Sequence, residues 1–144
     1  MLPLLEGTGA RAAQIAPGDA RLAAGYVTYK GATGRVRAYR ARPTGSARLP
    51  AILVIHQNKG LTAHIEDVVR RAALKGYIVL APDALSPAGG APTDPDKAKA
   101  LVRGLDKAAT LKNFLAAVSY LKAHPESTGK VGSVGFCWGG AMSN

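Results

Sequence analysis

Six residues near the end of the chain, Gly135-Phe-Cys-Trp-Gly-Gly140, carry the plainest chemistry in the sequence. Cys137 is the only cysteine, and a glycine stands two residues before it and two after. The spacing is that of a strand entering a helix through one sharply bent residue. Such a turn holds the side chain of the bent residue clear of the backbone, and glycines at the ±2 positions remove the side chains that would collide there. A thiol so placed at a helix start is stabilised as thiolate, the nucleophilic form, by backbone N–H groups and the helix dipole. The N–H of Trp138 then points where an oxyanion forms during acyl transfer. The competing reading is a buried structural cysteine acting as a small hydrophobe in a glycine-rich turn.

A nucleophile needs elements to hold it, and the sequence supplies an alternating order of them. "GYVTYKG" (Gly25–Gly31) and "RVRAYRARP" (Arg35–Pro43) each alternate apolar and polar residues around a glycine-containing turn, which predicts an antiparallel hairpin with its arginines on the solvent face. "AILVIH" (Ala51–His56) is continuously apolar and β-branched, as strands buried on both faces are. "HIEDVVRRAALKG" follows with helical spacing and Gly76 as its stop, then "YIVLAPD" as another buried strand. After the loop "ALSPAGGAPTDPD", "KAKALVRGL" predicts a short helix. "DKAATLKNFLAAVSYLKAH" predicts a longer one, with Leu111, Phe114, Leu115, Val118 and Leu121 on its apolar face. "PESTG" closes that helix, and Val131–Phe136 is a third buried strand leading into Cys137. The order predicts an α/β fold with right-handed parallel crossovers and the hairpin at one edge. Residues 1–24, rich in Ala, Gly and Pro, read as an N-terminal arm preceding a domain at 25–144.

Composition narrows the class. The 144 residues are 47% hydrophobic and 19% charged, as in globular domains. No apolar run approaches the roughly 20 residues needed to span a bilayer, so no membrane partner is expected. One cysteine excludes an internal disulfide framework and a multi-cysteine metal site. The net charge of +10 admits nucleic acid, an anionic surface or an acidic small molecule as partner. The basic residues are scattered, however, and neither zinc-finger spacing nor an RNA-binding aromatic signature is present, so no specific nucleic-acid partner is expected. "LPLL" near the N-terminus is too short for a signal core, while "ARAAQ" has small residues spaced as at a signal-cleavage site. The cytoplasm and the periplasm both stay open as locations.

From Tyr26 to Asn144 the chain resembles the dienelactone hydrolases (carboxymethylenebutenolidases) of the α/β-hydrolase superfamily. The resemblance is carried by "VTYKGATGRVRAYRARP", "ILVIHQNKGLTAHIEDVVRRAALKGYIVLAPD", "LSPAGG" and "GKVGSVGFCWGGAMSN". It implies that Cys137 is the nucleophile of a Cys-His-Asp triad that attacks an ester or lactone carbonyl, with no cofactor. It implies that Asn58 donates the second oxyanion N–H beside that of Trp138. It places Gln57 where the family commonly has a glutamate touching the resting thiol; an amide can hydrogen-bond a thiol but cannot take its proton. His56 is implied to be structural or pocket-lining rather than the base. His64 and His124 read as surface or capping groups, Glu66 and Asp67 as first-turn acids, and Asp83 as a loop-shaping residue.

In α/β-hydrolases the acid and the histidine follow the nucleophile in chain order, so both would lie beyond Asn144. The expectation is a truncated α/β-hydrolase fold whose last strand lacks a neighbour and which has little turnover alone. Its substrate is expected to be a small ester or lactone, with the basic balance suiting an anionic one. The alternative is a non-catalytic fragment or subunit that needs a complementary C-terminal chain.

Overall fold

The computed structural model describes residues 13–136 and 138–143. The two alternating segments form strands β1 (Leu22–Gly31) and β2 (Gly34–Pro43), which pair antiparallel with Gly31 opposite Gly34. The continuously apolar segments form β3 (Leu49–Ile55) and β4 (Ile78–Pro82), which pair parallel. Strand β5 (Ser127–Gly135) runs parallel to β3 on its other side, and β2 pairs antiparallel with β4. The sheet order is β1-β2-β4-β3-β5. A parallel trio is thus flanked on one side by the expected hairpin.

Helices α1 (Ala63–Ala73), α2 (Pro95–Arg103), α3 (Lys107–Ala123) and the short α4 (Trp138–Ser143) complete the described chain. Each of the first three begins at a side chain that accepts an otherwise orphaned N–H: Thr62 for α1, Asp94 for α2 and Asp106 for α3. No helix among the described residues is long and apolar enough to cross a membrane.

The period-2 geometry of the strands divides the core in two. Ala51, Leu53, Ile55, Ile78 and Leu80 face α3 with Phe114, Ala117 and Leu121. Val54, Val79 and Ala81 face α1 with Ile65, Val69 and Ala73. Ile65 and Val69 are at most 1% exposed, and burying a side chain of this kind stabilises by about 1.5–3 kcal/mol.

Four details differ from the sequence expectation. The arginines of β2 do not share one solvent face, because Arg35 and Arg37 have odd parity while Arg40 and Arg42 have even. Arg35 and Arg37 are exposed, whereas Arg42 is buried and pairs with Glu126 at 2.8 Å. Arg40 reaches the Tyr120 hydroxyl on α3 at 3.1 Å. The buried stripe of α3 is Thr110, Asn113, Phe114, Ala117 and Leu121, while Leu111 and Leu115 are 43% and 56% exposed. Strand β5 starts at Ser127, inside the segment read as a loop, because Leu49 offers it a ladder partner there.

The fourth difference lies at the front of the domain. β1 begins at Leu22, within the segment read as an arm, and residue 15 is already docked. The Ile15 N–H donates to Asp67 Oδ1 at 2.9 Å, and Arg70 Nε donates to the Ile15 carbonyl at 2.7 Å. Arg70 also donates to the Tyr39 hydroxyl at 2.9 Å. Asp67 is therefore a buried clasp for the N-terminal segment and not the first-turn acid expected; Glu66 is the acid in the first turn of α1.

Candidate active site

The parallel strands β3, β4 and β5 all end at the same edge of the sheet, so the residues that follow each of them gather there. The link from β5 to α4 is tight: the Gly139 N–H donates to the Phe136 carbonyl at 2.9 Å. Both flanking glycines are sterically required. A Cβ on Gly135 would lie under 3.0 Å from the backbone of Gly139, and a Cβ on Gly139 would lie under 3.0 Å from the carbonyl oxygens of Ile55 and His56. No real Cβ comes so close to backbone atoms. Gly139, in the first turn of α4, is thus seated directly on the last residues of β3, immediately before Gln57 and Asn58.

Cys137, the expected nucleophile, lies outside the described residues. Of its expected partners, Trp138 opens α4. Gln57 is half-buried and Asn58 is exposed at the exit of β3. The Gln57 carbonyl accepts the Gly60 N–H at 3.3 Å, which bends this exit into a turn. Among the described residues the Asn58 N–H donates to no protein acceptor.

His56 is fully buried at the base of this loop. Its Nδ1 lies 2.6 Å from the Gln57 carbonyl, which can only accept, so Nδ1 carries the proton. Its Nε2 accepts the Ala84 N–H at 3.0 Å. Both nitrogens are committed and the ring is neutral; burial pushes its pKa below the ordinary value, against the pull of the Gln57 carbonyl and of Asp83. His56 braces the exit of β3 against the exit of β4, as its expected structural part requires. Asp83 shapes the neighbouring loop: its Oδ1 accepts the Leu85 N–H at 3.0 Å and its carbonyl accepts the Ser86 N–H at 3.0 Å.

The other two histidines stand away from the turn. His64 is exposed on the first turn of α1, beside a cleft lined by Ala13, Pro17, Asp67 and Arg70. His124 ends α3, where its Nδ1 accepts the Glu126 N–H at 3.1 Å. It precedes β5, whose nine residues place it roughly 30 Å from Gly135, at about 3.3 Å per residue. Among the described residues no cluster of three or more His, Cys, Asp or Glu is arranged to hold a metal ion.

Residues 36–144 match the model of the dienelactone hydrolase family. The chain belongs to that family. It is 42% identical over 109 residues to YghX of Escherichia coli K12, described as a hydrolase fragment, covering 74% of this chain and 93% of that protein. It is 34% identical over 126 residues to a protein of Methylorubrum extorquens described as a carboxymethylenebutenolidase, covering 85% of this chain but 43% of that one. A crystal structure from Klebsiella pneumoniae, described as a dienelactone hydrolase, superposes with a TM-score of 0.72 at 28% identity, over 82% of this chain and 51% of that one. The chain spans about half the length of the Methylorubrum and Klebsiella relatives. Its fold is therefore part of a dienelactone hydrolase domain.

Proposed function

We propose that the chain carries the nucleophilic half of an ester or lactone hydrolase, with Cys137 as the attacking group. The thiolate sulfur adds to the acyl carbon, and the developing oxyanion is held by the N–H groups of Trp138 and Asn58. That addition makes the C–S bond; collapse of the tetrahedral oxyanion restores the carbonyl and breaks the acyl C–O bond, and the departing alkoxide or enolate takes its proton from water. Water then cleaves the thioester and regenerates the thiol. Gln57 is positioned to hydrogen-bond the resting thiol without deprotonating it. The observation that supports this reading is the seating of Gly139 on the carbonyls of Ile55 and His56, which sets the start of α4 beside the Gln57–Asn58 loop. The basic balance of the chain favours small esters or lactones that are anionic.

The test is intact-protein and peptide mass spectrometry after incubation with p-nitrophenyl acetate. The expected result is one acetyl group on Cys137 and none in Cys137→Ala. Acetylation spread over lysines with Cys137 unmodified refutes the reading.

A second reading is favoured by the histidines. With His56 committed at both nitrogens and His124 at the far edge, no described imidazole serves as base for the turn. The chain alone then acylates but scarcely turns over, and a complementary polypeptide supplies the base. Steady turnover by the purified chain, abolished in Cys137→Ala, contradicts it.

A further inference from the structure

We infer that the tip of the β1–β2 hairpin and the loop after β4 form a binding site for a small tetrahedral dianion, a phosphate or phosphate monoester. Strand β2 runs antiparallel to β4, so its first residues reach the edge of the sheet where β4 ends. Ala38 stands opposite Pro82 there, and the Arg37 N–H donates to Ser86 Oγ at 3.0 Å. Beside that contact lies a cleft of about 340 Å³. The hairpin lines it with Thr28, Arg35 and Arg37, and the loop with Asp83, Ser86 and Gly90 among others. The volume suits a small ligand, since pockets for small molecules start at about 300 Å³.

Positive charge gathers at this cleft without a counter-charge. The hairpin register puts Thr28 opposite Arg37 and Lys30 opposite Arg35. Directly opposed residues share a face, so Lys30, Arg35 and Arg37 stand together on one face, where like charges repel. Both guanidiniums are held by neutral groups. Arg35 Nη2 donates to the Thr28 hydroxyl, and Arg37 lies 3.7 Å from the centre of the Tyr26 ring. Among the described residues no carboxylate forms an ion pair with any of the three cations. The nearby acids are otherwise engaged: Glu66 accepts the Tyr26 hydroxyl, and Asp83, 1% exposed, accepts the Leu85 N–H through Oδ1. Guanidinium forks fixed in this way recognise anions with several oxygens. A monocarboxylate answers one fork, whereas a phosphate dianion answers both and the Lys30 ammonium as well. Strands β4 and β3 separate β2 from β5, about 14 Å at about 4.8 Å per strand, so a ligand this small does not reach the turn after β5. The site is therefore distinct from the one proposed for the nucleophile and stands or falls without it.

The experiment titrates the purified chain with inorganic phosphate at a fixed ionic strength of about 0.15 M, by calorimetry and by amide chemical shifts. Wild type is compared with Arg35→Gln, Arg37→Gln and Arg103→Gln. The last removes an equal charge from an exposed position on α2. Saturable 1:1 binding is expected, with amide shifts gathered at Thr28, Arg35–Arg37 and Gly89–Gly90. Arg35→Gln and Arg37→Gln should each weaken binding at least roughly tenfold, and Arg103→Gln less than about twofold. Absence of saturable binding, or equal weakening in all three variants, overturns the proposal. Succinate bound more tightly than phosphate refutes the ligand class. Should either cleft variant fail to fold, the wild-type shifts decide alone: a pattern centred away from the hairpin tip and the loop after β4 overturns the site.

Discussion

The imidazole of His56 joins two strand ends: Nε2 accepts the N–H of Ala84 after β4 at 3.0 Å, and Nδ1 is 2.6 Å from the carbonyl of Gln57 after β3. One buried ring therefore sets the relative height of the two loops at the site edge. Because burial lowers its pKa below the ordinary 6.5, the folded ring stays neutral where the unfolded one takes up a proton. The unfolded state then binds more protons, and stability falls as pH falls. The contribution is fully present above about pH 6.5 and is lost progressively below it. The melting temperature is expected to decline between pH 7 and 5. His124 is shifted the same way, by burial and by Arg40, but is only half-buried, so His124→Gln should retain most of the decline. The carboxylate of Glu126, held low by Arg42, titrates below this window. A melting temperature that stays flat down to pH 5 contradicts the buried neutral ring.

Gly139 and Gly132 test the turn geometry against each other. A Cβ at 139 meets backbone carbonyls that cannot move without displacing the end of β3, whereas a Cβ at 132 meets nothing within 4 Å. Gly139→Ala is expected to destabilise by about 3 kcal/mol, the upper range for overpacking. Gly132→Ala should stay within about 0.5 kcal/mol of wild type. Urea denaturation midpoints decide it; equal shifts in the two variants would remove the steric argument for the turn.

The clasp between α1 and the N-terminal segment should behave as one unit. Asp67 and Arg70 are 5% and 2% exposed, and both hold Ile15. Removing one partner of a buried ion pair strands the other, at a cost of about 3 kcal/mol. Asp67→Ala and deletion of residues 1–17 are each expected to destabilise strongly, and the combination should cost much less than their sum. Strict additivity in a double-mutant cycle shows that the segment and the acid act independently.

How legible these features were depends on whether their causes are local. The alternation of Val36, Ala38, Tyr39 and Ala41 with arginines, and the apolar runs of β3 and β4, give strands and faces within a few residues. The glycine spacing around Cys137 is likewise readable, because it answers a steric need four residues long. The docking of Ile15 onto residues 67 and 70 spans more than fifty positions and has no local signature. The orientation of α3 failed for a related reason. Leu111 and Leu115 look like core by hydropathy, yet they face the uncovered flank of β5, while Asn113, polar and inconspicuous, is turned inward.

Asn113 supplies the sharpest test of that inward face. Only 4% exposed, it accepts the N–H groups of Ala32 at 2.8 Å and Thr33 at 3.3 Å through Oδ1 and donates to Thr33 Oγ1 at 2.9 Å. Its own carbonyl accepts the Tyr29 hydroxyl at 2.8 Å. One amide thus satisfies the turn of the β1–β2 hairpin from a helix eighty residues away. Asn113→Ala leaves two backbone donors without their acceptor, which costs about 1–3 kcal/mol each when they cannot reach water. The hairpin turn is near the surface, so water recovers part of this and a net loss of about 2 kcal/mol is expected in chemical denaturation. Asn113→Asp keeps the acceptor for both N–H groups but loses the donor to Thr33, so it should cost less than the alanine. If aspartate proves the more damaging, the turn is held by the donated bond to Thr33 and not by the accepted ones.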